Sequence, residues 1–129
     1  MPDPSVPPLT LVLLPAEYAV CRYAQVPPLP HSTGLVSLTR TDDETSLVCP
    51  VGDVPTGATL VEPGWAAMRV AGQLDFALVG ILAKLAGTLA DAGVSIFAIS
   101  TYDTDYLLVR TAQLELAVGS LRQAGCRVM

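Results

Sequence analysis

Val79-Gly-Ile-Leu-Ala-Lys-Leu-Ala-Gly-Thr-Leu-Ala-Asp-Ala-Gly-Val-Ser-Ile-Phe-Ala-Ile-Ser-Thr-Tyr-Asp-Thr-Asp-Tyr-Leu-Leu-Val109 switches from helical to strand periodicity and then turns back on itself. Ile81, Leu82, Leu85, Leu89 and Ala92 fall on one helical face, with Lys84, Thr88 and Asp91 opposite, and Gly93 is placed for a left-handed stop. The pattern predicts a helix from Val79 to Ala92, a strand over Ser95 to Ser100, a turn through Asp103, and a strand over Asp105 to Arg110. Upstream, Trp65 to Ala71 reads as a strand and Gly72 to Asp75 as a loop. Downstream, Thr111 is a candidate N-cap for a helix over Ala112 to Ala124 that buries Leu114, Val118 and Leu121, followed by a last strand over Cys126 to Met129. The order is βαββαβ. One-sided helices need a sheet to cover, and right-handed crossovers put both on one face, with Ser95 to Ser100 and Leu107 to Val109 apolar enough to be central.

A weaker copy precedes it. Glu17 to Tyr23 is echoed 47 residues later by Gly64 to Val70, and Thr39 to Val48 is echoed 61 residues later by Ser100 to Val109. On that alignment Asp42 and Glu44 match Asp103 and Asp105, Cys21 matches Met68, and Cys49 matches Arg110. Leu9 to Leu14 and Tyr18 to Tyr23 are β-rich runs split by Pro15-Ala-Glu17. Ala24 to Gly34 holds Pro27, Pro28 and Pro30 and cannot be a regular helix, so the first copy has lost or shortened an element there. Leu35 to Arg40 and Thr45 to Cys49 flank a polar turn, Thr41-Asp-Asp-Glu44, as a hairpin, and Ala58 to Val61 resumes an extended run. The expected class is α+β: two ferredoxin-like βαββαβ units with antiparallel sheets and helices on one face, the first degenerate. Residues 1–8 read as a disordered or extended segment, 9–62 as the degenerate unit and 63–129 as the complete one.

Bulk properties narrow the function. At 129 residues, a unit of about 60 residues would be marginal alone, so the copies should pack together. Mean hydropathy is +0.51, yet the longest apolar stretch, Phe76 to Ala90, is interrupted by Lys84 and Thr88 and is shorter than the ~18 to 20 residues of a spanning helix. No membrane role is expected, and with neither a basic nor an apolar leader at the N-terminus the cytoplasm is the expected location. Three cysteines form no even-numbered framework and no metal-ligand cluster. A net charge of −5 with seven Lys plus Arg gives no footprint for nucleic acid and suits a cationic or zwitterionic small molecule. No nucleophile with a base, no phosphate-binding glycine loop and no second histidine beside His31 is present, so the chain reads as a non-enzyme without cofactor or metal.

Gly80 to Leu85, Leu89 to Ile96 and the run Ile99 to Val109 together resemble an ACT domain, the small regulatory module that binds amino acids. Leu74-Asp-Phe76 with Val79-Gly-Ile-Leu82 resembles more narrowly the tandem-ACT group that includes the CASTOR arginine sensors and their short prokaryotic relatives. Many ACT domains open the first helix with Asp-x-Pro-Gly, whereas this chain has Ala77-Leu-Val-Gly80, which leaves Asp75 as the nearby acid. The resemblance implies a homodimer with a free amino acid held where units meet, a downstream protein that reads the liganded state, and arginine as one candidate ligand; walls made by Leu74, Phe76 and Ile99 would equally suit lysine or a branched aliphatic amino acid.

The residues support such a site. Unpaired N–H groups of Val79, Gly80 and Ile81 at a helix start suit a carboxylate, and Asp103 and Asp105 at the hairpin turn suit an ammonium group. Leu74, Asp75, Ser100, Thr101 and Tyr102 complete the candidate set, with the exposed aromatic ring suited to an alkyl or guanidinium side chain. Asp is also a common turn former, and Gly80 also suits plain helix-sheet packing. The first copy reads as a packing partner more than a binder. The rival function is a constitutive oligomerisation or scaffold protein with no ligand.

Overall fold

The computed structural model describes residues 9–71 and 80–129. The elements are β1 (Thr10–Tyr23), β2 (Ser37–Arg40), β3 (Thr45–Pro50), β4 (Leu60–Val70), α1 (Ile81–Asp91), β5 (Ile96–Ser100), β6 (Asp105–Arg110), α2 (Leu114–Gln123) and β7 (Arg127–Val128), with short 3-10 turns at Val51–Asp53 and Thr111–Gln113. They form two compact units: an N-terminal unit, Pro15–Trp65, and a C-terminal unit in which residues 9–14 join Ala66–Met129. Residues 9–14, grouped by sequence with the first copy, thus make their contacts with the second.

The C-terminal unit is the α+β arrangement expected. Ala66, Met68 and Val70 on β4 and Leu107 and Val109 on β6 alternate onto one face, which α1 covers with Leu85 and Leu89 and α2 with Ala117 and Leu121. Full burial of each Leu contributes roughly 1.5–3 kcal/mol. Both helices stop as their sequences predict: Val94 N–H donates to Leu89 O at 2.9 Å and Gly93 N–H to Ala90 O at 3.0 Å, and the same pair of bonds closes α2 through Cys126 and Gly125. This six-to-one, five-to-two pattern needs a left-handed residue, supplied by Gly93 (φ 79°) and Gly125 (φ 97°).

Several details differ from the expectation. Pro15 does not split the first strand: β1 is continuous over 14 residues, because proline's fixed φ lies in the extended region. The runs at 58–61 and 65–71 likewise fuse into β4. Thr111 is no N-cap but the first residue of a 3-10 turn, and α2 begins after Gln113 without a side-chain cap. The last strand is the short Arg127–Val128 and lies parallel to the start of β1, with Thr10 opposite Arg127 and Leu11 opposite Val128. The C-terminal unit therefore runs β7-β1-β4-β6-β5, so β5 is an edge strand and not a central one. Leu11 explains the insertion of β1: its side chain is fully buried in this core. On the opposite face of the sheet Ala67 and Leu108 are also fully buried.

In the N-terminal unit β2, β3 and β1 lie side by side in antiparallel register, Cys21 opposite Leu47 and Leu38 opposite Leu47. Ala19, Cys21, Tyr23, Leu47 and Cys49 form its small core, flanked by Val36, Leu38, Val54 and Ala58. The proline segment is irregular, as the sequence predicts, and is pinned by Leu35 N–H donating to the buried Tyr18 hydroxyl at 2.9 Å. A Cβ on Gly34 would come within 2.7 Å of that hydroxyl and 3.0 Å of Pro50, which is why glycine stands there. No helix among the described residues is long and apolar enough to cross a membrane.

Candidate functional site

The two hairpins fix the internal repeat. Arg40 stands opposite Thr45 and Ser100 opposite Asp105, so the copies are 60 residues apart here, not 61. Asp43 rather than Asp42 is then the counterpart of Asp103, Thr45 rather than Glu44 that of Asp105, and Cys49 faces the position of Val109 instead of Arg110. The corrected register aligns Thr41 with Thr101, and these residues close both turns. Thr41 N–H donates to Glu44 O at 2.9 Å, and its Oγ1 accepts from the backbone N–H groups of Asp43 and Glu44, each at 3.1 Å. Thr101 N–H donates to Thr104 O at 2.8 Å; its Oγ1 donates to the same oxygen at 2.9 Å and accepts from Thr104 N–H at 3.2 Å. Alignment by threonine was the signal that alignment by acid concealed.

Of the candidate residues, Ser100, Thr101, Tyr102, Asp103 and Asp105 come together on the β5–β6 hairpin. Ser100, Thr101 and Asp103 are exposed, Tyr102 is 80% exposed and Asp105 is half-buried. Thr104, absent from the sequence-based set, anchors the turn: its buried Oγ1 donates to Val70 O at 2.7 Å, at the end of β4. Gly80 is exposed, holds a left-handed φ of 85° and precedes α1; its carbonyl accepts from Lys84 N–H at 2.8 Å, and no side chain caps the helix. Ile81 packs its side chain on the core. Leu74, Asp75 and Val79, with Phe76, lie outside the described residues.

A second feature sits in the N-terminal unit. A cavity of about 630 Å³, open on one side, is lined by Arg22 to Val26, Arg40 to Thr45 and Thr59. Arg22 Nη2 reaches Asp43 O at 3.4 Å, and Ser46 Oγ donates to Glu44 Oε1 at 2.7 Å. Tyr23, which lines the cavity, donates its hydroxyl to Pro55 O at 2.6 Å, and burial with the nearby Cys21 and Cys49 pushes its pKa up. Burial also raises the Cys21 thiol, and burial, reinforced by Cys21 and Asp53, pushes Cys49 up to about 11. These thiols stay protonated and unreactive near neutrality. Among the described residues no group of three or more His, Cys, Asp or Glu side chains is placed to hold a metal ion.

Residues 60–123 match the ACT domain family. The chain is an ACT-domain protein. Residues 16–57 match a second family profile, that of an N-terminal domain. No curated protein matches the sequence. Among solved structures, a protein of Agobacterium tumefaciens is 35% identical, with 96% of this chain and 94% of that one covered and a TM-score of 0.86, and this ACT-domain protein belongs to the same family. A Vibrio cholerae protein of unknown function matches at 16% identity over 91% and 90%, TM-score 0.67. The ligand-free regulatory subunit of aspartate kinase from Thermus thermophilus matches at 12% identity over 88% and 95%, TM-score 0.62, a likeness of fold. ACT domains are regulatory and bind small molecules, and that coarse role is the one this chain carries.

Proposed function

We propose that the protein is an amino-acid sensor in which a free amino acid binds at the C-terminal unit, between the start of α1 and the β5–β6 turn, and that a second copy completes the site. The bond from Thr104 Oγ1 to Val70 O carries this reading. It fastens the acid-bearing turn to the end of β4, the strand whose continuation leads to Gly80. The uncapped N-terminus of α1 offers backbone N–H groups to a carboxylate, and the helix dipole favours the negative charge. Asp103 and Asp105 supply charge for the ammonium group. The edge position of β5 favours a partner copy there, giving an isologous homodimer, and ligand would stabilise that dimer by mass action. Arginine, lysine and a branched aliphatic amino acid are the candidate ligands, the first favoured by the resemblance to the CASTOR-type group. A cytoplasmic regulated protein would read the liganded state.

The test is a thermal-shift screen of the common amino acids at millimolar concentration. A rise in midpoint with one candidate, abolished in Asp103→Ala while the unliganded midpoint stays put, is the expected result. Silence across the whole set would instead favour a constitutive oligomerisation protein.

A further inference from the structure

We infer that the outer face of the α1–α2 layer is an interface, and that its occupant is a second copy of this chain, related by a two-fold axis that crosses the helices at right angles. This surface shares no residue with the candidate amino-acid site and is separate from the β5 edge. Gln113 Nε2 donates to Gly93 O at 3.2 Å, so the start of α2 lies beside the end of α1 and the two helices run antiparallel. Gly87 and Gly119 each stand six residues from that contact, hence at about the same height, with Lys84 and Asp91 flanking the first and Glu115 and Arg122 flanking the second. All six are exposed. The layer is therefore polarised: Lys84 and Arg122 mark a positive end, Asp91 and Glu115 a negative one.

Three features of this face work against the isolated chain. Like charges stand level with each other at both ends of the layer. Lys84 lies in the first turn of α1 and Asp91 is its last residue, so both charges oppose the helix dipole. A glycine interrupts the middle of each helix, where it is unfavourable relative to alanine; neither has a left-handed φ, and a Cβ on either would meet nothing within 4 Å. A second copy relieves all three. A two-fold axis across the helices lays α1 antiparallel on α1 of the second copy and α2 on its α2, so Lys84 faces Asp91 and Glu115 faces Arg122, each pair occurring twice. One Arg122 nitrogen already holds Val128 O at 2.9 Å, which orients the guanidinium and leaves its other N–H groups for a carboxylate. A two-fold axis parallel to the helices would instead set Lys84 on Arg122 and Asp91 on Glu115, so charge selects the crossing axis. The glycines let the helix axes approach closely, and Leu116, 51% exposed, adds apolar surface. Helices of 11 and 10 residues present a face that would bury on the order of 1,000 Å² over both copies, at the lower bound for a specific interface.

Sedimentation equilibrium of the full chain over a concentration series, at low salt and without added amino acid, tests this. Lys84→Glu sets acid against acid in both α1 contacts and should weaken the association about ten-fold or more, halving the mass at concentrations where wild type is assembled. The same change places an acid in the first turn of α1, where the dipole favours it, so the chain stays folded and a lower mass cannot be put down to unfolding. The double variant Lys84→Glu/Asp91→Lys should restore the wild-type mass. Residues seven apart on one helix do not meet, so that rescue has to come from a second chain. Gly87→Gln should also halve the mass while the thermal midpoint holds or rises, because glutamine is the better helix former. A monomeric wild type would overturn the interface, as would a mass unchanged by Lys84→Glu or a double variant that stays dissociated. A dimer that survives Lys84→Glu would leave the β5 edge as its seam, and the amino-acid reading stands or falls separately in the thermal-shift screen.

Discussion

The two units start from related sequence and differ in what covers the sheet. In the C-terminal unit α1 and α2 lay Leu85, Leu89, Ala117 and Leu121 over β4 and β6, and the core extends through Leu11 and Val128. In the N-terminal unit prolines replace the first helix, the core shrinks to Ala19, Cys21, Tyr23, Leu47 and Cys49, and a cavity opens at its end. Losing a helix thus costs apolar burial and leaves accessible polar groups.

The largest predicted effect separates the cores. Leu89→Ala, at a fully buried helix position, should destabilise the protein by about 2–5 kcal/mol, read by denaturant unfolding. Next come the two buried threonines, which are close in burial and opposite in bonding. Thr104→Val leaves the Val70 carbonyl without its donor and should cost about 1–3 kcal/mol, whereas Thr45→Val breaks no bond and should be nearly neutral. Equal losses would erase the contrast between the hairpins. Gly34→Ala pushes a Cβ against the Tyr18 hydroxyl and Pro50 and should cost about 1–3 kcal/mol through overpacking of the proline strap. A wild-type midpoint in that variant would mean that the strap yields freely.

The smallest effect is alkaline. The folded-state thiol of Cys49 titrates near 11 against an ordinary value of 9.0, so the folded form keeps a proton that the unfolded chain releases between these values. Stability should therefore be fully present below pH 9 and decline as pH rises towards 11. Cys49→Ala, compared with wild type across that range, should flatten the decline even if its baseline stability is lower. An unchanged slope would place the alkaline loss elsewhere.

Much of this was legible in the residues. The helical face of Ile81, Leu85 and Leu89, the glycine stops and both hairpins follow from local pattern, because side-chain period and left-handed preference act over a few residues. The register between copies was off by one, since acidic residues recur loosely in turns while the threonine that closes each turn is fixed by its hydrogen bonds. Of the candidate residues, Ser100, Thr101, Tyr102, Asp103 and Asp105 share the β5–β6 hairpin, whereas Thr104 was missed, because its partner Val70 lies far away in the chain and nothing local marks the bond.

The sequence by itself determined the βαββαβ order, the broken first repeat and the acidic turns, all consequences of periodicity and backbone preference. Only the tertiary structure decided that β1 lends residues 10–14 to the far end of the chain, that β5 is an edge, and that the row Tyr23, Thr45 and Arg40 borders a cavity. Strand neighbours and empty space depend on which distant segments meet, and that outcome is set by how buried apolar surface is shared across the whole chain.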